Sequence, residues 1–147
     1  MRRDERIRIE RLVPGGYGLA RLSDGRIVLA SAVAPGDLLR PTRLERRHGA
    51  DRVASYQLLE AGPERVAPAC PLASRCGGCD WMHLSQREQA DSRIGLLRDA
   101  LRRTGARVGL GSDIRWRSPG PHYEYRQRLR LHVAPGGSVG LRSPGSS

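Results

Sequence analysis

From residue 6 to residue 58 apolar and polar positions alternate over short distances, broken by glycine and proline, and the whole stretch reads as β-structure. Ile-Val-Leu-Ala at 27–30 opens the most apolar run of the chain, 27–34, and suits a buried strand. Asp24-Gly25 just before it is a strong hairpin turn signal, so residues 17–22 are predicted as the partner strand. Gly15, Gly16 and Gly18 let the chain bend sharply into that strand. Pro35-Gly36 marks the next turn, with a strand over 37–46 after it. Pro41 interrupts that strand, and a residue without an N–H belongs at an edge or a bulge. A last strand covers 52–58. Short strands with glycine-rich turns between them predict a small closed barrel of the OB type.

The period then changes. Residues 61–69, AGPERVAPA, read as a linker, and a cysteine-rich segment follows. Ser85 and Glu88 form an S-x-x-E capping box that opens a helix. Ala90, Ile94, Leu97 and Leu101 fall on one helical face, as ordinary core packing. Arg98, Arg102 and Arg103 crowd the end favoured by the helix dipole, and Gly105 is the predicted stop. Residues 106–122 are irregular. A second β region begins at Tyr123, where Leu129, Leu131 and Val133 alternate with Arg128, Arg130 and His132. Pro135, Gly136 and Gly137 turn the chain into a return strand over 138–142. A lone hairpin is marginal in water, so this region reads as the opening of a domain whose remainder is absent. The expected fold is mainly β with one helix. An OB-like β-barrel takes 1–60, a linker 61–69, the cysteine segment and helix 70–105, and an incomplete second β domain 106–147.

Charge narrows the function. The 147 residues carry a net charge of +11, and all 26 basic residues are arginine. Such an excess attracts polyanions, with RNA or DNA as the default partner; the plain alternative is a solvated, over-charged surface. Apolar residues make up 38% with only six aromatics, enough for a modest core. No segment has the length of a transmembrane helix, and MRRDER lacks the apolar stretch of a signal peptide. The expectation is a cytoplasmic protein with no membrane partner. Thiols there stay reduced, so clustered cysteines read as metal ligands before disulfides.

All three cysteines lie in CPLASRCGGCDWMHL, residues 70–84, with the spacing C-x5-C-x2-C-x3-H. Gly77-Gly78 lets the backbone wrap closely around an ion or cluster and turn its amides toward sulfur. One reading is a zinc site of Cys70, Cys76, Cys79 and His83, which closes a tetrahedron locally. The other is an iron–sulfur cluster on the three thiolates, with a fourth from elsewhere.

C-P-x4-C-G-G-C-D-x-x-H-L resembles the iron–sulfur motif of the RumA/TrmA-like RNA 5-methyluridine (uracil-5-) methyltransferases, above all their ribosomal RNA branch. R-L-V-P-G-G-Y-G-L-A-R through A-P-G-D resembles the TRAM domain of that family, an OB-type RNA-binding barrel. The helix with Gln89 and the ending L-x-x-A-L-R-R-T-G is also similar, as is Y-x-Y-R-x-R-L-R-L-H-V, the start of the family's central RNA-binding domain. The chain departs from the family at Met82, commonly Gln there, and at Pro41, in a strand usually free of proline.

The resemblance implies a [4Fe-4S] cluster on Cys70, Cys76 and Cys79, its fourth ligand missing from this chain and His83 not a ligand. It implies methyl transfer from S-adenosylmethionine to uridine C5 by a methyltransferase domain that has no counterpart here, so no catalytic residue is assigned. It implies structured RNA as partner, ribosomal RNA ahead of tRNA; the sequence does not fix an oligomeric state, and a monomer is the expectation. Arg126, Arg128 and Arg130 would face phosphate, and Tyr17 would stack on an unpaired base or else belong to the core. The competing function is a stand-alone, zinc-stabilised OB-type RNA-binding module without catalysis.

Overall fold

Side chains at alternate positions point to one face of a strand, and the first half of the chain uses that rule to enclose its core. The computed structural model describes residues 4–47, 49–104, 114–118 and 120–144. Six strands come first: β1 (Ile7–Arg8), β2 (Arg11–Val13), β3 (Tyr17–Arg21), β4 (Ile27–Ala30), β5 (Leu38–Arg47) and β6 (Ala50–Glu60). They form one sheet in the order β1-β5-β6-β4-β3-β2. All neighbours are antiparallel except β4 and β6, which pair in parallel with Leu29 opposite Arg52.

The two outermost strands are nearly continuous on the chain. Only Ile9 and Glu10 separate β1 from β2, a connection that reaches no more than about 11 Å. The sheet therefore curls until its edges approach. Ile9 donates its N–H to Asp37 O at 2.9 Å and accepts from Gly36 N at 2.8 Å, whereas the Glu10 N–H donates to Leu19 O at 2.9 Å. One stretch of backbone thus steps from the β5 side of the sheet to β3. The expected OB-type barrel is a curled half-barrel bridged by this crossing.

The strands predicted over 17–22, 27–30, 37–46 and 52–58 appear as β3, β4, β5 and β6. The last two run longer than predicted, because Gly49 takes φ 78 and reverses the chain tightly between them. β1 and β2 are too short to register as a period of two. Pro41 is buried opposite Tyr56, next to a register shift, and β1 pairs with β5 only at Leu38 and Leu39. Proline sits where a bulge begins and one ladder stops, so its missing N–H costs nothing.

Ile7, Ile9, Ala20, Leu22, Val28, Ala30, Val33, Leu39 and Val53 fill the inside, with Leu44 and Tyr56 packed against them. Gly18 belongs to this core through what it lacks: a Cβ there would stand 2.3 Å from Val33 Cγ2 and 2.8 Å from Ile9 Cγ2. A smaller cluster of Leu12, Ala34 and Leu84, with Trp81 against it, carries the following segment onto the outside of the barrel.

A charge holds the two parts together. The Asp37 side chain is fully buried and accepts from Ala34 N at 2.7 Å and Gly62 N at 2.8 Å. Arg65 Nη2 donates to it at 2.6 Å and to Ala32 O at 2.8 Å. Ala32 takes φ 56, unusual for a residue with a Cβ, and its carbonyl also accepts from Tyr56 Oη at 3.0 Å. Residues 62–66, inside the stretch read as a linker, are fastened to the barrel by these bonds and by Val66 N–H to His83 O at 2.9 Å.

Helix α1 (Gln86–Arg103) starts where predicted, but with half a capping box. Ser85 Oγ accepts from Glu88 N at 3.1 Å, whereas the Glu88 carboxylate accepts from Ser92 Oγ and does not reach back. The Ser85 N–H donates instead to Glu64 O at 2.9 Å, so the barrel completes the cap. The stripe of Ala90, Ile94, Leu97 and Leu101 is not core: no residue of α1 is buried, and Leu97 is 47% exposed. An Arg11–Asp99 ion pair at 2.7 Å joins α1 to β2. The predicted stop, Gly105, lies outside the described residues, as do 106–113 of the irregular stretch; Thr104 caps the helix.

The second β region is shorter than its alternation suggests. β7 (His132–Val133) and β8 (Val139–Gly140) form a two-stranded sheet, and residues 123–131 are not strand. Val133 is 70% exposed and Leu129 57%. Alternation specifies a strand only when a partner ladder and a covering layer exist, and only two residue pairs find register here.

Two substitutions test this architecture. Asp37→Asn leaves the Arg65 guanidinium without its counter-charge, and urea unfolding should show a loss of about 3–5 kcal/mol. Gly18→Ala should cost about 1–3 kcal/mol by overpacking against Val33 and Ile9.

Candidate nucleic-acid interface and cysteine loop

The cysteine loop is built from tight turns. Ala73 N–H donates to Cys70 O at 3.1 Å, and Cys76 N–H to Leu72 O at 2.8 Å. All three thiols are free; Cys70 and Cys76 are half-buried and Cys79 is exposed. Gly78 N–H donates to Cys76 Sγ at 3.4 Å.

The glycines between the last two cysteines serve a purpose the spacing did not reveal. Gly77 N–H donates to Arg142 O at 2.9 Å. A Cβ on Gly77 would stand 2.8 Å from that same carbonyl, and one on Gly78 would stand 2.7 Å from Leu141 Cδ1. The backbone that leaves β8 lies directly on the loop. On another side, a Cβ on Gly16, whose φ is +78, would meet Asp80 Cβ at 3.1 Å. The turn between β2 and β3 therefore also touches the loop, which becomes the junction of barrel and second sheet.

As a ligand set the predicted residues fit in chemistry but are not gathered. Three thiols within ten residues and an amide aimed at sulfur are donors of the kind an iron–sulfur cluster takes. Among the described residues no three His, Cys, Asp or Glu side chains converge as a metal site. His83 is held by the barrel. It is buried, and Nε2 lies 3.0 Å from Val33 O. A carbonyl only accepts, so Nε2 carries the proton and Nδ1 alone is left with a lone pair.

The predicted RNA contacts divide. Tyr17 is half-buried at the start of β3, with the Arg52 guanidinium 4.1 Å from its ring centroid. Arg126, Arg128 and Arg130 are exposed, but on irregular backbone and not on a strand face; Arg126 Nε donates to Arg128 O at 2.9 Å. Sequence reasoning missed Arg52, and also Arg93, whose guanidinium lies over two tryptophan rings. The signal available was the pairing of few aromatics with many arginines. The described residues contain no helix long and apolar enough to cross a membrane.

No family model matches the chain. Curated relatives do. An uncharacterized RNA methyltransferase of Thermotoga maritima is 32% identical over 148 residues, 97% of this chain and 31% of that protein. The 23S rRNA (uracil(1939)-C(5))-methyltransferase RlmD of Halomonas elongata is 33% identical over 90% of this chain and 27% of its own length. RlmD of Pseudomonas putida is 34% identical over 88% of this chain and 28% of its own. The chain thus spans about a third or less of the relatives it matches. In the solved structures, the tRNA (uracil-54, C5)-methyltransferase of Pyrococcus abyssi with S-adenosyl-L-homocysteine matches 65% of this chain and 21% of its own, with TM-score 0.48 and 25% identity.

Two buried groups set the acid response of this junction. Burial lowers the His83 pKa below 6.5, partly opposed by the Val33 hydrogen bond. Burial would raise the Asp37 pKa, but the Arg65 hydrogen bond, the Ala34 and Gly62 amides and the Arg65 charge outweigh it and hold it below 3.8. Both groups give up a proton more readily folded than unfolded, so each loses stabilising power as pH falls. Thermal midpoints should decline in two stages, from about pH 6.5 as unfolded His83 protonates and again below about pH 3.8 through Asp37. His83→Gln should remove the first stage only. Gly77→Ala should separate the loop from residues 142–144, seen as at least a several-fold faster amide exchange at position 77.

Proposed function

Because the chain belongs to the RNA uracil-5-methyltransferase family, we propose that it is the RNA-docking part of a protein that methylates uridine C5 in 23S ribosomal RNA. The observation that carries this reading is the cysteine loop at the junction of a basic half-barrel with a second sheet. Homology spanning nearly the whole chain supports it.

The barrel, of TRAM type, brings positive charge to the RNA, and Arg126, Arg128 and Arg130 contact phosphate. All three side chains are exposed, and guanidinium groups form bidentate bonds to phosphate oxygens. Cys70, Cys76 and Cys79 supply three thiolates to a [4Fe-4S] cluster, which staples the loop between barrel and second sheet. His83 is not a ligand in this reading, as the family resemblance implies; its Nε2–H donates to Val33 O in the barrel wall. The cluster is structural and takes no part in methyl transfer.

Methylation at C5 needs a cysteine thiolate to attack C6 of the ring and a site for S-adenosylmethionine. With its three cysteines committed to the loop, this chain by itself transfers no methyl group. It binds and orients RNA for chemistry performed elsewhere in the family's longer proteins.

Two measurements test the proposal. Protein purified without oxygen should contain iron and acid-labile sulfide, both lost in Cys76→Ser; stoichiometric zinc without sulfide would instead make His83 a ligand. The affinity for single-stranded RNA should fall steeply with salt. Replacing Arg126, Arg128 and Arg130 together by Ala should lower the log–log slope by about 2. An unchanged slope would remove these arginines from the interface.

A further inference from the structure

We infer that Trp116 is a stacking platform for an unpaired RNA base, held ready by Arg93 and Trp81; this rests on the RNA-docking reading above. The chain has only two tryptophans, 35 positions apart in sequence, and one arginine joins them. The Arg93 guanidinium carbon lies 5.3 Å from the Trp81 ring centroid and 5.2 Å from that of Trp116. Both distances are within the range at which an aromatic face attracts a cation.

The inner end of this stack is anchored. Trp81 packs against the cluster of Leu12, Ala34 and Leu84 on the barrel's outer side. Gln89 Nε2 donates to Trp81 O at 3.1 Å, and Gln89 Oε1 accepts from Arg93 Nη2 at 3.4 Å. Trp81, Gln89 and Arg93 therefore brace one another across the start of α1. Trp81 Nε1 is buried with no hydrogen-bond partner, so an indole is costly at this position. What the indole provides against that cost is a broad face for Arg93.

The outer end is open. Trp116 is 49% exposed, unusual for the side chain with most to gain from burial. Arg115 and Arg117 on either side of it are exposed as well. An exposed indole with an exposed arginine before and after it in the chain suits one nucleotide: the base stacks on the ring and the phosphates on either side are within the arginines' reach. Tyr17, the base-stacking candidate from sequence, is half-buried and also carries an arginine, Arg52, over its ring at 4.1 Å; exposure is what distinguishes Trp116. Stacking accepts any base, so this platform supplies grip on single-stranded RNA and not sequence choice.

The test uses the whole chain, a decamer of oligouridylate, and an abasic decamer of the same length and charge. The wild-type chain should bind oligouridylate with quenching of its tryptophan emission and bind the abasic oligomer more weakly. Trp116→Ala should reduce affinity for oligouridylate roughly 5- to 150-fold and abolish most of the quenching, with circular dichroism unchanged. Trp116→Phe should retain most of the affinity. Paired replacement of Arg115 and Arg117 by Ala should reduce the salt slope while leaving the preference for bases over abasic sites. Unchanged affinity in Trp116→Ala, or equal affinity for both oligomers, would overturn the platform while leaving RNA docking intact. If the wild-type chain binds neither oligomer, the docking reading fails and the platform with it.

Discussion

One buried carboxylate organises the chain from the barrel to the helix. Asp37 gathers the amides of Ala34 and Gly62 and the guanidinium of Arg65 where no water reaches it. Taking a carboxylate out of water is expensive unless every lone pair is used, and here strand loop, following segment and a cation all converge on it. Because Arg65 also pairs by backbone with Leu84, the segment after the cysteines is brought to the same wall. His83 Nε2 donating to Val33 O and Ser85 N–H donating to Glu64 O complete that seam. Among the described residues apolar burial there is slight, Leu12, Ala34 and Leu84 with part of Trp81, so directional polar bonds decide how the second half sits on the first.

The same economy appears in how the arginines are used. Arg65 is structural. Arg26 bridges Asp24 and Asp51, both at 2.9 Å, and closes the β3–β4 turn onto β6. Arg52 and Arg93 lie over aromatic rings. With so few aromatics, a flat cation that stacks and bonds at its edges substitutes for missing apolar bulk. The basic composition that points to RNA is thus partly spent inside the fold, and outward charge rests on particular residues, not on the net sum.

Much of the site was legible and some of it misled. The Asp24-Gly25 turn and the β4 run were readable because both are local: a three-residue glycine turn and four consecutive apolar residues leave little choice. The role of Gly77 and Gly78 was not, because the atoms that exclude a Cβ belong to Leu141 and Arg142, some 60 residues on. The helical stripe at Ala90, Ile94, Leu97 and Leu101 was visible, but a pattern states which face is apolar and not whether anything covers it. The alternation around Leu129 to Val133 failed for the same reason, since register needs a second strand.

By itself, then, the sequence determined the short-range features of this protein. Turns at glycine, strand periodicity, the start of α1 and the clustering of three thiols all follow from residues within a few positions of each other. Tertiary structure alone decided what those features face. It put Asp37 beside Arg65, bound His83 Nε2 to Val33 O in the barrel wall, and laid Arg93 across two tryptophans. The reason is physical: conformational preference is a property of neighbours along the chain. Desolvation, charge pairing and stacking depend on which distant atoms remove water from a group, and no local pattern encodes that.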